Sequence, residues 1–154
     1  MEGEEKQNAH RHFSTTCFNG VWELLEKSDR SAEDDRLLRE MAHASLYHWL
    51  EWNNAEPRNI SIGLWLLSRV YAVLGDGRNA ALYAGECIKF SENLPAFYFA
   101  YAYEAAARAA AVQGNLDERD ELIRIADSQM VRIRCGEERG VLQGDLDGLR
   151  EAAS

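Results

Sequence analysis

Lysine is scarce in this chain. Lys6, Lys27 and Lys89 are the only three among 154 residues, so arginine carries the basic side chains and the formal net charge is -9. The arginines are scattered among acids and form no basic stripe. A duplex-binding surface needs such a stripe to neutralise phosphates and release counterions, so nucleic acid is excluded as a partner. An anionic membrane surface is excluded on the same ground. Cysteine is equally sparse: Cys17, Cys87 and Cys135 are far apart, with no C-x-x-C. That spacing supports neither a disulfide framework nor a zinc knuckle and predicts a reducing, cytoplasmic setting. No run approaches the ~20 apolar residues of a membrane span, and the opening M-E-G-E-E-K-Q-N lacks the apolar core of a signal peptide. Strand-like alternation is missing as well. Also missing are the phosphate-cradling G-x-x-x-x-G-K-[S/T], the G-x-S-x-G elbow and H-E-x-x-H. The acid pairs Asp34 and Asp35, and Glu137 and Glu138, lie in polar stretches that give no reason for a catalytic pKa. The expectation is an all-α protein that is not an enzyme and holds no cofactor.

What the chain does have is helical periodicity and enough apolar content, 46% of 154 residues, to bury one core. Residues 1–10 are polar and predict a disordered tail, followed by a single helical domain over 11–154. Seven helices are expected. The first runs from about Phe13 to Lys27. The second starts at Ser31 or Ala32, where Ser31-Ala32-Glu33-Asp34 approximates a capping box, and reaches about Trp52. The third opens at Pro57, which suits the first helical position, and closes at Gly75. The fourth spans about Arg78 to Ser91, the fifth follows Pro95 and runs to Gln113, and the sixth covers about Leu116 to Cys135. The last, from Glu137 to Arg150, is weakened by Gly140, Gly144 and Gly148 at ~1 kcal/mol each relative to Ala.

Leu64 to Cys87 reads as two amphipathic helices folded back at Gly75-Asp76-Gly77. Leu64, Leu67, Ser68 and Tyr71 follow a large, large, small, aromatic spacing, and Ala80, Ala84 and Cys87 put small side chains on the facing helix, where backbones must approach closely. This pattern resembles the tetratricopeptide repeat, although its usual first-position Trp is displaced to Trp65 and its closing Pro comes late, at Pro95. A weaker second copy uses Tyr103, Ala106, Ala107, Ala110, Gly114 and Ala126, with Arg119 where a small residue is usual. The two turns are 39 residues apart, against roughly 34 in a regular array. The resemblance covers about residues 60–130. It implies a TPR-like right-handed α-α superhelix whose concave face binds a peptide or partner protein, as a non-enzymatic interaction or scaffolding module.

The third and fifth helices are apolar nearly all round, which requires burial or a partner on every side. The fifth is the more extreme, as Phe97-Tyr98-Phe99-Ala100-Tyr101-Ala102-Tyr103 shows. With the second, third and fifth helices lining a concave face, Tyr47, His48, Trp65, Tyr98 and Tyr101 become candidate binding residues, because Tyr, Trp and His join an apolar body to a polar tip. Core packing is the plainer role for each. Glu104 and Arg108, four residues apart, suit an intrahelical pair. Arg69 has no acid three or four residues away and needs a partner among apolar neighbours; Glu104 is the first candidate and Glu86 the second. Arg69 and Glu104 therefore join the candidate site, as a structural link between hairpins or with Arg69 reserved for a ligand carboxylate. Two alternatives accompany the interaction module. One is small-molecule binding in the aromatic groove, and the other is a helical-bundle metalloenzyme using His43 or His48. Five residues separate those histidines, roughly 140° around a helix, so they point apart and no metal site is assigned; a satisfied, partly buried role suits His43 better. The apolar fifth helix beside a glycine-containing last helix predicts a homodimer.

Overall fold

The computed structural model describes residues 2–152. Seven α-helices account for most of them, with no strand among the described residues: α1 (Gly3–Leu25), α2 (Ala32–Glu51), α3 (Pro57–Val73), α4 (Gly77–Ser91), α5 (Ala96–Val112), α6 (Leu116–Ser128) and α7 (Gly136–Glu151), with a 3-10 turn at Met130–Arg132 before α7. Among these residues no helix is long and apolar enough to cross a membrane.

Local chemistry fixes most helix ends. At α2 the Ser31 hydroxyl accepts from the Asp34 N–H at 3.1 Å while the Asp34 carboxylate accepts from the Ser31 N–H at 3.1 Å, satisfying two otherwise orphaned donors. Pro57 occupies the first turn of α3, where its missing N–H costs nothing. Helices α3 and α5 stop in the same way. Gly75 and Gly114 take φ of 80° and 79°, the left-handed region glycine tolerates. The next residues donate back across the turn, Asp76 N–H to the Tyr71 carbonyl and Asn115 N–H to the Ala110 carbonyl, both at 2.9 Å. These two stops also touch: a Cβ on Gly77 would lie 2.5 Å from Cγ of Gln113, so a larger residue there would have to push the Gln113 side chain aside for the start of α4 to meet the end of α5.

Packing is closest within the successive pairs α1–α2, α3–α4 and α5–α6, and α5 also contacts α3, α4 and α7. Buried serines weld the first two pairs. Ser45 Oγ donates to the Ser14 carbonyl and Ser68 Oγ to the Ala80 carbonyl, each at 2.8 Å, so small polar side chains let the helices approach without leaving a buried group unpaired. One apolar cluster joins Val21, Leu38, Ala42, Leu66, Leu67 and Val70 across α1, α2 and α3. Another joins Ala100, Ala107, Ile123 and Ala126 to Leu142, Leu146 and Leu149 of α7. Helix α7 therefore covers α5 despite its glycines, which leave its leucine face intact. Helices α3, α4, α6 and α7 all pack against α5, while Phe97, Tyr98, Phe99, Tyr101 and Tyr103 stay partly exposed.

Two boundaries differ from the sequence reading. Helix α1 begins at Gly3, ten residues before Phe13, and takes in most of the segment expected as a disordered tail. It is held there by polar contacts: Gln7 Nε2 donates to the Glu51 carbonyl at 3.2 Å, Gln7 Oε1 accepts from the Asn53 N–H at 2.6 Å, and His10 is buried against His48. Helix α6 ends at Ser128 rather than near Cys135. The chain turns there so that Ile133 enters the α5–α7 core, where Arg139 Nη1 donates to its carbonyl at 2.5 Å.

Candidate functional site

A pocket of about 420 Å³ opens between the odd-numbered helices. Trp22 comes from α1, Ser61, Ile62, Trp65 and Arg69 from α3, Phe97, Tyr98 and Tyr101 from α5, and Val141 and Asp145 from α7, with Cys87 of α4 at its base. The spacing follows from helical geometry, since Trp65 and Arg69, Phe97 and Tyr101, and Val141 and Asp145 are each four residues apart and share a face.

The aromatic wall is self-supporting. Trp22 and Trp65 stack with centroids 5.8 Å apart, Tyr101 meets Trp65 edge to face at 5.7 Å, and Phe97 meets Tyr101 at 5.0 Å. Such offset and edge-on pairs fix ring orientation as well as burying area.

Beneath the wall lies a buried charge. Glu104 has no solvent exposure, and its carboxylate accepts from Arg108 Nε and Nη2 at 3.0 and 2.5 Å through Oε1 and from the Trp65 indole N–H at 2.9 Å through Oε2. Arg69 approaches the same Oε1 more loosely, at 3.6 Å, and its guanidinium lies 5.8 Å from the centre of the Trp65 ring. The sequence-level pairing of Glu104 with both arginines is thus present, with Arg108 the closer. Burial, with Arg108 nearby, lowers the Arg69 pKa, while Glu104, Asp145 and Tyr101 oppose the shift; guanidinium is basic enough to remain a cation. On the facing helix, Asp145 Oδ2 accepts from the Tyr101 hydroxyl at 2.7 Å. Burial and the adjacent Asp145 push the Tyr101 phenol above its ordinary range, which keeps it a donor.

At the base, Ser61 Oγ and Ser91 Oγ lie 2.7 Å apart, and the Cys87 thiol donates to the Ser61 carbonyl at 3.3 Å. Burial pushes this thiol up to about 11, against hydrogen bonds with Ser61 and Ser91 that pull it down. It is therefore a protonated lining group at neutral pH, without the thiolate that a nucleophile needs.

Of the residues singled out from sequence, Trp65, Arg69, Tyr98 and Tyr101 converge on this pocket, and Glu104 anchors it from below. Tyr47 and His48 do not. Helix α2 contributes nothing to the lining, and α1 takes the place expected of it: in successive pairs the first members, α1, α3 and α5, face the same way. His48 turns instead to α1, its Nδ1 2.9 Å from that of His10, and Tyr47 packs edge to face on His10 at 6.2 Å while remaining 55% exposed. His43 faces the other side of α2, where its Nε2 is 2.8 Å from the Tyr71 hydroxyl and its ring meets Tyr83 edge-on. The two histidines proposed for a metal thus have separate partners, and no group of three or more His, Cys, Asp and Glu among the described residues is placed to hold an ion.

Sequence reasoning missed Asp145, Trp22 and the Trp65–Glu104 bond. Asp145 sits in G-D-L-D-G, where every acid reads as solvated surface; its one signal is its place four residues after Val141 and next to the core residue Leu146. Compared with protein-family models, curated proteins and solved structures, the chain matches none.

Proposed function

We propose that this protein is a non-enzymatic binding module and that the pocket between α1, α3, α5 and α7 is its recognition site, taking a compact, largely apolar ligand. The observation that carries this reading is the convergence of the Trp22, Trp65, Phe97, Tyr98 and Tyr101 rings around two charged groups, Arg69 and Asp145. Small-ligand sites have this composition: apolar walls, a few fixed polar groups, and a volume within ~300–1,000 Å³. The protonated Cys87 thiol and the Tyr101-bound Asp145 favour binding over nucleophilic or general-base chemistry. The paired helices and the matching stops at Gly75 and Gly114 support the TPR-like reading, and three free cysteines support a cytoplasmic setting. The test is titration with a neutral apolar fluorophore, followed by its emission and by quenching of tryptophan. Saturable binding that is lost in Tyr98→Ala with little change in melting temperature supports the reading. Binding that falls only in step with stability refutes it.

A second reading, docking of a protein partner including a second copy of this chain, is favoured by one observation. Phe13, Tyr47 and Leu50 are 47%, 55% and 58% exposed, and the first two flank the His10–His48 contact of α1 and α2. Exposed aromatic and aliphatic side chains gathered in one region are the usual mark of an interface. For a homodimer using this face, light scattering at micromolar concentration gives twice the chain mass, and Tyr47→Glu halves it. A monomeric mass for the unaltered protein sinks the dimer.

A further inference from the structure

Within the pocket, hydrogen-bonding capacity is unequally used. Glu104 accepts twice from Arg108 through Oε1 and once from Trp65 through Oε2, whereas Arg69 has only a loose ionic contact with Oε1 and the Trp65 ring, and it makes no hydrogen bond among the described residues. Asp145 accepts from Tyr101 through Oδ2 alone; its Oδ1 has no partner. The two groups feel each other's charge but form no ion pair. The pocket therefore presents a loosely paired cation with free donors on α3 and a half-engaged accepting anion on α7, joined by an aromatic wall.

Resting on the pocket reading above, we infer that the ligand is amphoteric: a free α-amino acid with an aromatic or large aliphatic side chain, its carboxylate held by Arg69, its ammonium by Asp145 Oδ1, and its side chain among Trp65, Phe97 and Tyr98. Charge complementarity selects this class. The four ionised groups here, Arg69, Arg108, Glu104 and Asp145, sum to zero, so a ligand of either net charge adds an uncompensated charge to a poorly solvated space. A simple acid would satisfy Arg69 but face Asp145, and a simple amine would satisfy Asp145 but face Arg69. A wholly apolar ligand can fill the aromatic part of the pocket but adds no partner for the Arg69 donors or for Asp145 Oδ1. A zwitterion satisfies both, and a guanidinium fork with two parallel N–H groups is the natural receptor for a carboxylate.

The experiment is calorimetric titration of the intact protein with L-phenylalanine and L-leucine, alongside 3-phenylpropionate, which lacks the ammonium, and phenethylamine, which lacks the carboxylate. At least one amino acid should bind, and for phenylalanine both truncated analogues should be weaker by tenfold or more. Asp145→Asn keeps an acceptor for Tyr101 but loses the anion, so it should bring 3-phenylpropionate and phenylalanine to within about threefold of each other. Arg69→Gln should do the same for phenethylamine, and Asp145→Asn stands alone as the test should Arg69→Gln fail to fold. Binding of the neutral fluorophore without either amino acid at millimolar concentration overturns the amphoteric ligand and leaves the pocket reading intact. Failure of fluorophore and amino acids alike overturns both. Equal binding of acid and amino acid in the unaltered protein overturns the role of Asp145.

Discussion

Glu104 has no contact with solvent, and two guanidiniums and one indole compensate its charge. Removing one partner of a buried ion pair is far costlier than the net contribution of the pair, since the survivor stays desolvated. Glu104→Ala is therefore expected to cost ~3 kcal/mol or more, because it orphans the Trp65 N–H and sets Arg69 against Arg108. Arg108→Ala should cost more than Arg69→Ala, because Arg108 makes two hydrogen bonds and Arg69 none. Urea melts of the three variants give the order, and equal losses for the two arginines would contradict it. Cysteine chemistry is a second test at this scale. Cys135 is exposed, whereas Cys87 is buried with its pKa pushed up to about 11, so at pH 8 a thiol reagent should modify Cys135 within minutes and Cys87 only on unfolding. Fast labelling of Cys87 in folded protein would show that the pocket base is open. Charges set in apolar helices were legible in the sequence because physics obliges them to pair; that is how Arg69, Glu104 and Arg108 could be read. Asp145 was not legible, since nothing in an acid-rich helix marks the one carboxylate that a tyrosine from another helix will reach.

Helix α1 shows why an element can be half legible. Its C-terminal half carries Phe18, Val21 and Trp22 at core spacing, and the sequence reading found it. The N-terminal half docks through Gln7, His10 and Ser14, which have the same spacing but are polar, so no hydrophobic periodicity announces them. The end of α6 is a related case: no glycine or proline follows Ser128 before Gly136, and the break is set by Ile133 entering the core of α5 and α7. By contrast, Ser31, Pro57, Gly75 and Gly114 mark their boundaries through local chemistry, and those boundaries fall within a residue or two of expectation. Polar docking of α1 also makes it pH-sensitive. Only one proton fits between the two Nδ1 atoms of His10 and His48, 2.9 Å apart. Burial, reinforced by His10, holds the His48 pKa below its ordinary value. The unfolded chain, with histidine near ~6.5, then binds more protons than the folded one in the window below that value. This contribution to stability is present above pH ~6.5 and is lost as pH falls through the window. The melting temperature should drop between pH 7 and 5, with amides of residues 3–14 exchanging before those of α3. His48→Gln should flatten the slope, and an unchanged slope would place the sensitivity elsewhere.

At the scale of the whole molecule, α7 is both the cover of α5 and a wall of the pocket, so stability and recognition meet in one element. Leu142, Leu146 and Leu149 anchor it in the core, while Val141 and Asp145 lie on the adjoining face and line the cavity. Three glycines lower its intrinsic helicity by ~1 kcal/mol each, so tertiary packing must hold it in place. That division of labour separates two variants only one position apart. Leu146→Ala deletes a fully buried side chain and should cost ~2–5 kcal/mol in a denaturant melt. It should also weaken ligand capture, because the helix that presents Asp145 loosens with its anchor. Asp145→Asn removes a charge from the half-buried face, keeps an acceptor for Tyr101, and should change which ligands bind while leaving the melt nearly unaltered. If both variants instead lose stability and binding together, Asp145 is part of the anchor, and the pocket's selectivity must come from α3 and α5 alone.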